Sequence, residues 1–295
     1  MKNYHSIIIG KGEPLIFHPA AGFSGMEGLN IAENLADHYE CHLLDLPGMG
    51  KSKGIDGRVT IHKISAWLKD YIELHKMKKV TLVGHSMGAG VAMCFASTYP
   101  HQVNKIILLD QGHKNIPRFP TRDFGVFGYV VPIFSLLERT FGDVFIKRIE
   151  KLFIGTPKEV TSEDIEKRVV DFCTRFQIDR SEYIDKAFRE DAPFTREGLR
   201  FMFGYFRMNL PKLLNNITAP CLLIYASFEG FDQKEANRTK KAVAKLRQTK
   251  NIEMFQIKGQ HYVHWGNNNC LDKINQFLAV EKKSSHSQKK KASSV

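Results

Sequence analysis

The pentapeptide Gly84-His85-Ser86-Met87-Gly88 constrains this chain more than any other stretch. It reads G-x-S-x-G and follows directly on the apolar run Val80-Thr81-Leu82-Val83, with a helix-compatible stretch from Ala89 to Tyr99 behind it. A strand must turn sharply into a helix there, leaving Ser86 exposed at the tip in a strained conformation. Glycines two before and two after the serine let the backbone turn and the helix pack closely. Glycine and serine are common, so the bare pattern says little. The strand before it and the helix after it favour a serine presented for chemistry over an ordinary turn.

With 295 residues, the chain can bury a large core in one α/β domain and still carry an inserted subdomain. A hydrophobic fraction of 43% with 25% charged residues is that of a soluble globular protein. No apolar stretch behind a basic start is visible between Met1 and Phe17, so no signal peptide is expected. The longest uncharged apolar run, Phe124 to Leu137, is too short to span a bilayer and contains Pro132, which points to a buried or interfacial helix. Cysteines at 41, 94, 173, 221 and 270 are odd in number and widely spaced; Cys41, Cys94 and Cys221 sit in apolar segments. They read as small buried hydrophobes in a reducing compartment, and a cytoplasmic location follows as the expectation. Of the net charge of +12, the segment from Glu281 to Val295 supplies +4 through five lysines against one glutamate. Residues 281–295 read as a disordered basic tail. It lacks the interleaved aromatics of a nucleic-acid arm, so no nucleic-acid partner is expected.

The apolar runs Ile7-Ile8-Ile9 and Pro14-Leu15-Ile16-Phe17, joined by Gly10-Lys11-Gly12, read as an early hairpin or strand pair. Further strands are expected at Cys41–Leu44, Val80–Val83, Val103–Leu109, Cys221–Tyr225 and Ile252–Ile257, and helices at 27–38 and 60–76. Strands alternating with helices mean a parallel sheet covered on both faces. Between about His113 and Asn215 the strand rhythm stops, and 17 of the 32 aromatic residues fall there. The division expected is a core of residues 1–112 and 216–280, a helical cap insertion at 113–215, and the tail.

A serine hydroxyl needs a base, and the base an orienting acid. In a strand-turn-helix serine hydrolase these follow in the order Ser, Asp/Glu, His. His261 stands behind the strand Ile252–Ile257 and Gly259, and takes the base role; His264 reads better as a hydrogen-bonded, partly buried histidine. The acid is assigned to Glu229, past the strand ending at Tyr225, with Asp232 and Asp110 as alternatives. Glu229 and Asp232 also suit the start of the helix from Gln233. Oxyanion donors are expected from the N–H of Met87 and, in the loop His18-Pro19-Ala20-Ala21-Gly22, from Ala20, since Pro19 has none. No metal site is expected, because His261-x-x-His264 lacks a third ligand. Gly48-Met49-Gly50-Lys51-Ser52 imitates a phosphate loop, but Asp45 stands where that motif needs glycine.

Taken together, these residues resemble the α/β-hydrolase superfamily from about Ile7 to Leu278. His18-Pro-Ala-Ala-Gly22 is similar to its His-Gly oxyanion loop. Asp45-Leu-Pro-Gly-Met-Gly-Lys-Ser52 is similar to its Asp-x-Pro-Gly-x-Gly-x-Ser turn. Gly84–Gly88 matches its nucleophile turn, and Gly259-Gln-His261 its histidine loop. The resemblance implies an eight-stranded, mostly parallel sheet flanked by helices, a cap after the sixth strand, and no metal or organic cofactor. Pro19 departs from the family's glycine, and Ala226-Ser-Phe-Glu229 from its Gly-x-x-Asp. Serine at position 86 disfavours the branches that use aspartate there. The expected activity is hydrolysis of a carboxylic ester with a small apolar part, through an acyl-enzyme. Alternatives are a carbon–carbon bond hydrolase, an aminopeptidase with cap acids among Glu138, Asp143, Asp191 and Glu197, or a slow-turnover ligand sensor docking through Phe124–Leu137. No stable membrane insertion is expected.

Overall fold

The computed structural model describes residues 3–117, 125–154, 160–190, 192–246, 251–266 and 268–279. The basic tail and Phe124 lie outside these described residues.

The β-branched and aliphatic runs form a seven-stranded sheet. Its strands are β1 (Ser6–Ile9), β2 (Glu13–His18), β3 (Tyr39–Leu44), β4 (Val80–His85), β5 (Val103–Leu109), β6 (Cys221–Ala226) and β7 (Ile252–Ile257). They lie in the order β1-β3-β2-β4-β5-β6-β7, with only β1 antiparallel to its neighbour. Among the described residues there are seven strands, not eight. The expected β1–β2 hairpin is also absent: β3 inserts between them, antiparallel to β1 and parallel to β2. The connection cannot close as a hairpin because Lys11 and Glu13 donate their N–H groups to Ala36 and His38, at the end of the following helix.

Central strands buried on both faces read as continuous apolar runs, and alternate side chains serve two cores. Leu82, Ile106, Leu108 and Leu223 face one core with Ile64, Trp67 and Leu68 of helix α2 (Ile61–Leu74) and Phe95 of α3 (Met87–Thr98). Val83, Ile107, Leu109, Leu222 and Ile224 face the other, with Ile31 and Leu35 of α1 (Leu29–Leu35) and Ile274 and Phe277 of a helix at 269–279. Cys41, Cys94, Cys221 and Cys270 are buried free thiols; burial pushes Cys41, Cys94 and Cys221 up to about 12.

Between β5 and β6 the described chain is helical, from Val131–Phe141 through Asp143–Ile154, Ser162–Phe176, Glu182–Arg189 and Arg196–Phe206 to Leu210–Asn215. This insertion meets the core through a third apolar cluster. Phe172 from Ser162–Phe176 and Ile184 from Glu182–Arg189 pack against Ala20, Phe23 and Tyr262 of the loops at the sheet's carboxyl edge. Of the Phe124–Leu137 run, residues 125–137 form a 3-10 turn (Gly125–Tyr129) and most of the helix Val131–Phe141; Val126, Tyr129, Ile133 and Leu136 are exposed, whereas Val131 and Glu138 of the helix are buried. No helix among the described residues is long and apolar enough to cross a membrane.

Candidate active site

Ser86 sits between the end of β4 and the start of α3, with φ 51° and ψ −115°. This is a left-handed conformation that non-glycine residues avoid, and such strain is held only where surroundings impose it. The two flanking glycines show what imposes it. A Cβ on Gly88 would lie 2.2 Å from the carbonyl oxygen of His18, and one on Gly84 2.6 Å from Cα of Ala89. Only a turn this tight brings α3 against both its own strand and the loop after β2. The Gly88 N–H donates to the Pro19 carbonyl at 3.0 Å, and the Ser86 N–H to the Leu109 carbonyl at 3.3 Å.

His261 stands on the loop after β7, its side chain 25% exposed, and its Nδ1 lies 2.7 Å from Oδ2 of the buried Asp110. Burial pushes the His261 imidazole down; the hydrogen bond and charge of Asp110 oppose this, while the charges of His85 and Lys114 add to it, and the outcome is below the ordinary histidine value. A neutral imidazole with its Nδ1–H donated to a carboxylate leaves Nε2 as the basic atom.

The acid beside His261 is therefore Asp110 and not Glu229. Asp110 directly follows β5, with φ 47°. Its N–H donates to Ile224 at 2.7 Å, and its Oδ1 accepts the Ala226 N–H at 3.0 Å. Burial opposes its ionisation, but Lys114, the His261 hydrogen bond and the His261 and His113 charges outweigh that and hold its carboxyl well below the usual range. Glu229 is carried away because the chain keeps pairing beside β7 after β6 ends: Ser227 and Phe228 donate to Ile257 and Gly259. Glu229 thus emerges exposed, its N–H on the Ser227 hydroxyl. Asp232 accepts the N–H of Glu235 at 3.0 Å, a helix-capping contact ahead of Gln233–Leu246.

The oxyanion pair divides. Met87 opens α3, so its N–H has no intrahelical acceptor. The Ala20 N–H, in contrast, is committed: it donates to Oε2 of Glu27 at 2.5 Å. Glu27, in the short 3-10 turn Gly25–Gly28, is fully buried, and neither it nor His85 nor Lys114 stands out in the sequence as a site residue. Glu27 looks like one residue of a surface helix start, and His85 like the variable position of G-x-S-x-G. Lys114 is held at 2.8 Å from Glu235 and lies over the Phe228 ring.

Ligand atoms of Glu27, His85 and His264 lie within 4.8 Å of one another. They do not make a cation site. His85 Nδ1 and Glu27 Oε1 are only 2.5 Å apart, a proton-bridge length, whereas ligands about 2.0–2.2 Å from one tetrahedral metal stand farther apart. His264 is fully buried rather than partly so; among the described residues neither ring nitrogen makes a hydrogen bond, and Nε2 lies 3.6 Å from Oε1 of Glu27. Burial, then the charges of His85 and His261, lower it well below the ordinary value, so it is neutral. Asp45, which stood in the false phosphate loop, is a turn anchor: it accepts the N–H groups of Gly25 and Lys51 at 2.8 and 2.9 Å.

A three-layer α/β sandwich with a strained serine between a central strand and helix, and a His–Asp pair beyond the carboxyl ends of β7 and β5, is the arrangement of a class of serine-dependent enzymes. Residues 13–130 match the family profile for the alpha/beta hydrolase fold. The chain superposes on a thermophilic esterase from Thermogutta terrifontis with a TM-score of 0.66 at 19% identity, over 93% of this chain and 92% of that one. The chain therefore has the alpha/beta hydrolase fold. Among curated relatives, the pimeloyl-(acyl-carrier protein) methyl ester esterase of Aeromonas salmonicida is 33% identical over 39% of this chain, a match spanning 42% of that enzyme's length. A 2-hydroxy-6-oxononadienedioate/2-hydroxy-6-oxononatrienedioate hydrolase of Pseudomonas putida is 26% identical over 70% of this chain and 66% of its own.

Proposed function

We propose that this chain is a serine hydrolase that cleaves carboxylic esters through an acyl-enzyme. The observation that carries the reading is the His261–Asp110 pair at 2.7 Å on the same sheet edge as the strained Ser86. His261 Nε2 takes the Ser86 proton as the hydroxyl oxygen attacks the ester carbonyl. Charge developing on the carbonyl oxygen is met by the Met87 N–H and by a second donor from the loop after β2. With Ala20 N–H held by Glu27, the next donor in that loop, Ala21, takes this role. His261 then protonates the leaving alcohol, and water, activated by the same imidazole, releases the acid. Asp110 stabilises the imidazolium formed in each half-reaction. The apolar cluster of Phe23, Phe172, Phe176 and Tyr262 beside this edge suits a substrate with an apolar part.

Cleavage of a carbon–carbon bond next to a ketone is the second reading, supported by the 2-hydroxy-6-oxononadienedioate/2-hydroxy-6-oxononatrienedioate hydrolase whose match covers 70% of this chain. Of the four cap acids an amine-recognising site would draw on, Glu138 is ion-paired with Arg207 and Asp143 with Arg200, Asp191 lies outside the described residues, and Glu197 is half-buried. The test is turnover of nitrophenyl esters of graded acyl length beside a 2-hydroxy-6-oxo dienoate, with Ser86→Ala as control. Ester turnover lost in the variant is the expected result. Dienoate cleavage without ester turnover would replace the first reading with the second.

A further inference from the structure

Directly behind Ser86 lies a buried charged pair that the hydrolytic steps do not use. Glu27 is fully buried, and so is His85. Oε2 of Glu27 accepts the Ala20 N–H, and Oε1 lies 2.5 Å from Nδ1 of His85. On its other side, Nε2 of His85 lies 3.0 Å from the main-chain oxygen of His261. A carbonyl oxygen only accepts, so Nε2 carries a proton. The Nδ1–Oε1 link carries a second. Two charged groups taken out of water are tolerated only when each is paired and hydrogen-bonded, as both are here.

We propose that Glu27 and His85 are positioning residues for the reaction: their buried carboxylate–imidazolium pair ties together the loop after β2, the Ser86 turn and the His261 loop, and sets its positive end against the ring of His261. The inference rests on the reading of Ser86 and His261 as nucleophile and base. Each end of the pair reaches a different loop, and His85 adjoins Ser86 in the chain, so a shift of any one loop breaks a buried contact. The electrostatic consequence follows from the ring geometry. The His85 and His261 centroids are 4.6 Å apart, and a cation there disfavours a second positive charge on His261. Burial alone would lower His85, but the charge and hydrogen bond of Glu27, the His261 carbonyl and the charge of Asp110 outweigh it and raise His85 above its ordinary value. The other groups acting on His261 are Asp110 and Lys114, with His113 and His264 both pushed down and neutral.

Glu27→Gln separates the charge from the shape. The amide oxygen can still accept the Ala20 N–H while its NH2 donates to Nδ1 of His85. His85 then keeps its Nε2–H on the His261 carbonyl but becomes neutral. The experiment follows every histidine by imidazole NMR titration in the wild type and in Glu27→Gln, and records the pH dependence of kcat/KM on a nitrophenyl ester. In the wild type His85 should read as doubly protonated at neutral pH. In Glu27→Gln, His261 should titrate about half a unit or more higher, and the acid limb of kcat/KM should move with it. A neutral His85 in the wild type overturns the proposal even where the variant fails to fold. So does an unmoved His261 titration in a folded variant, which leaves Glu27 and His85 merely structural. If the wild type hydrolyses no ester, the functional reading fails instead, and the titrations still decide the charge on His85.

Discussion

Replacing Asp110 by asparagine tests the acid assignment sharply, because the structure dictates how the amide must sit. Asp110 Oδ1 accepts the Ala226 N–H at 3.0 Å and Oδ2 accepts from His261 Nδ1 at 2.7 Å. An asparagine has one oxygen for two donors. If the oxygen stays on Ala226, the NH2 faces His261 and forces the proton onto Nε2, where it blocks acceptance of the Ser86 proton. If the oxygen turns to His261, two buried N–H donors face each other at Ala226. The first arrangement is the less costly, since an unsatisfied buried donor costs about 1–3 kcal/mol. A wrong-tautomer histidine with intact geometry elsewhere lowers kcat about 10⁴-fold, or about 5 kcal/mol of barrier. Steady-state hydrolysis of the best nitrophenyl ester should show that fall in kcat for Asp110→Asn, with KM little changed. Glu229→Gln, at an exposed carboxylate, should stay near wild type. Activity within tenfold of wild type in Asp110→Asn, together with collapse in Glu229→Gln, would refute the assignment.

Other expectations follow from the same geometry. Ser86→Gly should abolish turnover yet raise stability to urea by about 1–3 kcal/mol, the strain a φ of 51° stores in a non-glycine residue. Gly88→Ala should disorder the loop after β2, its new Cβ meeting His18 and Pro19 carbonyl oxygens at 2.2 and 2.6 Å; unchanged urea stability and activity would contradict this. Burial lowers His18 to about 3, and burial with the Lys114 charge lowers His113 to about 3; His264 is also held neutral. These three are protonated only in the unfolded chain below the ordinary histidine value of about 6.5, so their stabilising contribution is lost as pH falls from there. His85, raised, runs the opposite way. His261 and His42 are lowered too, so the groups losing stability outnumber His85, and urea stability should fall between pH 7.5 and 5.5; a flat or rising profile would refute it.

The serine and histidine were legible because each is announced locally, by glycines around a turn and by a strand end followed by glycine. The acid was not. Asp110 and Glu229 both follow apolar strands, and only the pairing of Ser227 and Phe228 alongside β7 carries one of them out to solvent. The same limit produced the false hairpin. Ile7–Ile9 and Pro14–Phe17 alternate as a strand pair would, and nothing near them shows that Tyr39–Leu44 comes between. The strands readable from their own residues number seven; the eighth came only from the family likeness. Glu27 illustrates a further limit: a buried charge is invisible until the histidine that partners it, far along the chain, is placed beside it.

The most direct test of the central claim is to quench the protein during turnover of a nitrophenyl ester and weigh it intact, then map any added group by peptide digestion. One acyl group on Ser86 is expected in the wild type, and none in Ser86→Ala. Full turnover with no acyl group on Ser86, or an acyl group elsewhere that survives Ser86→Ala, would contradict it.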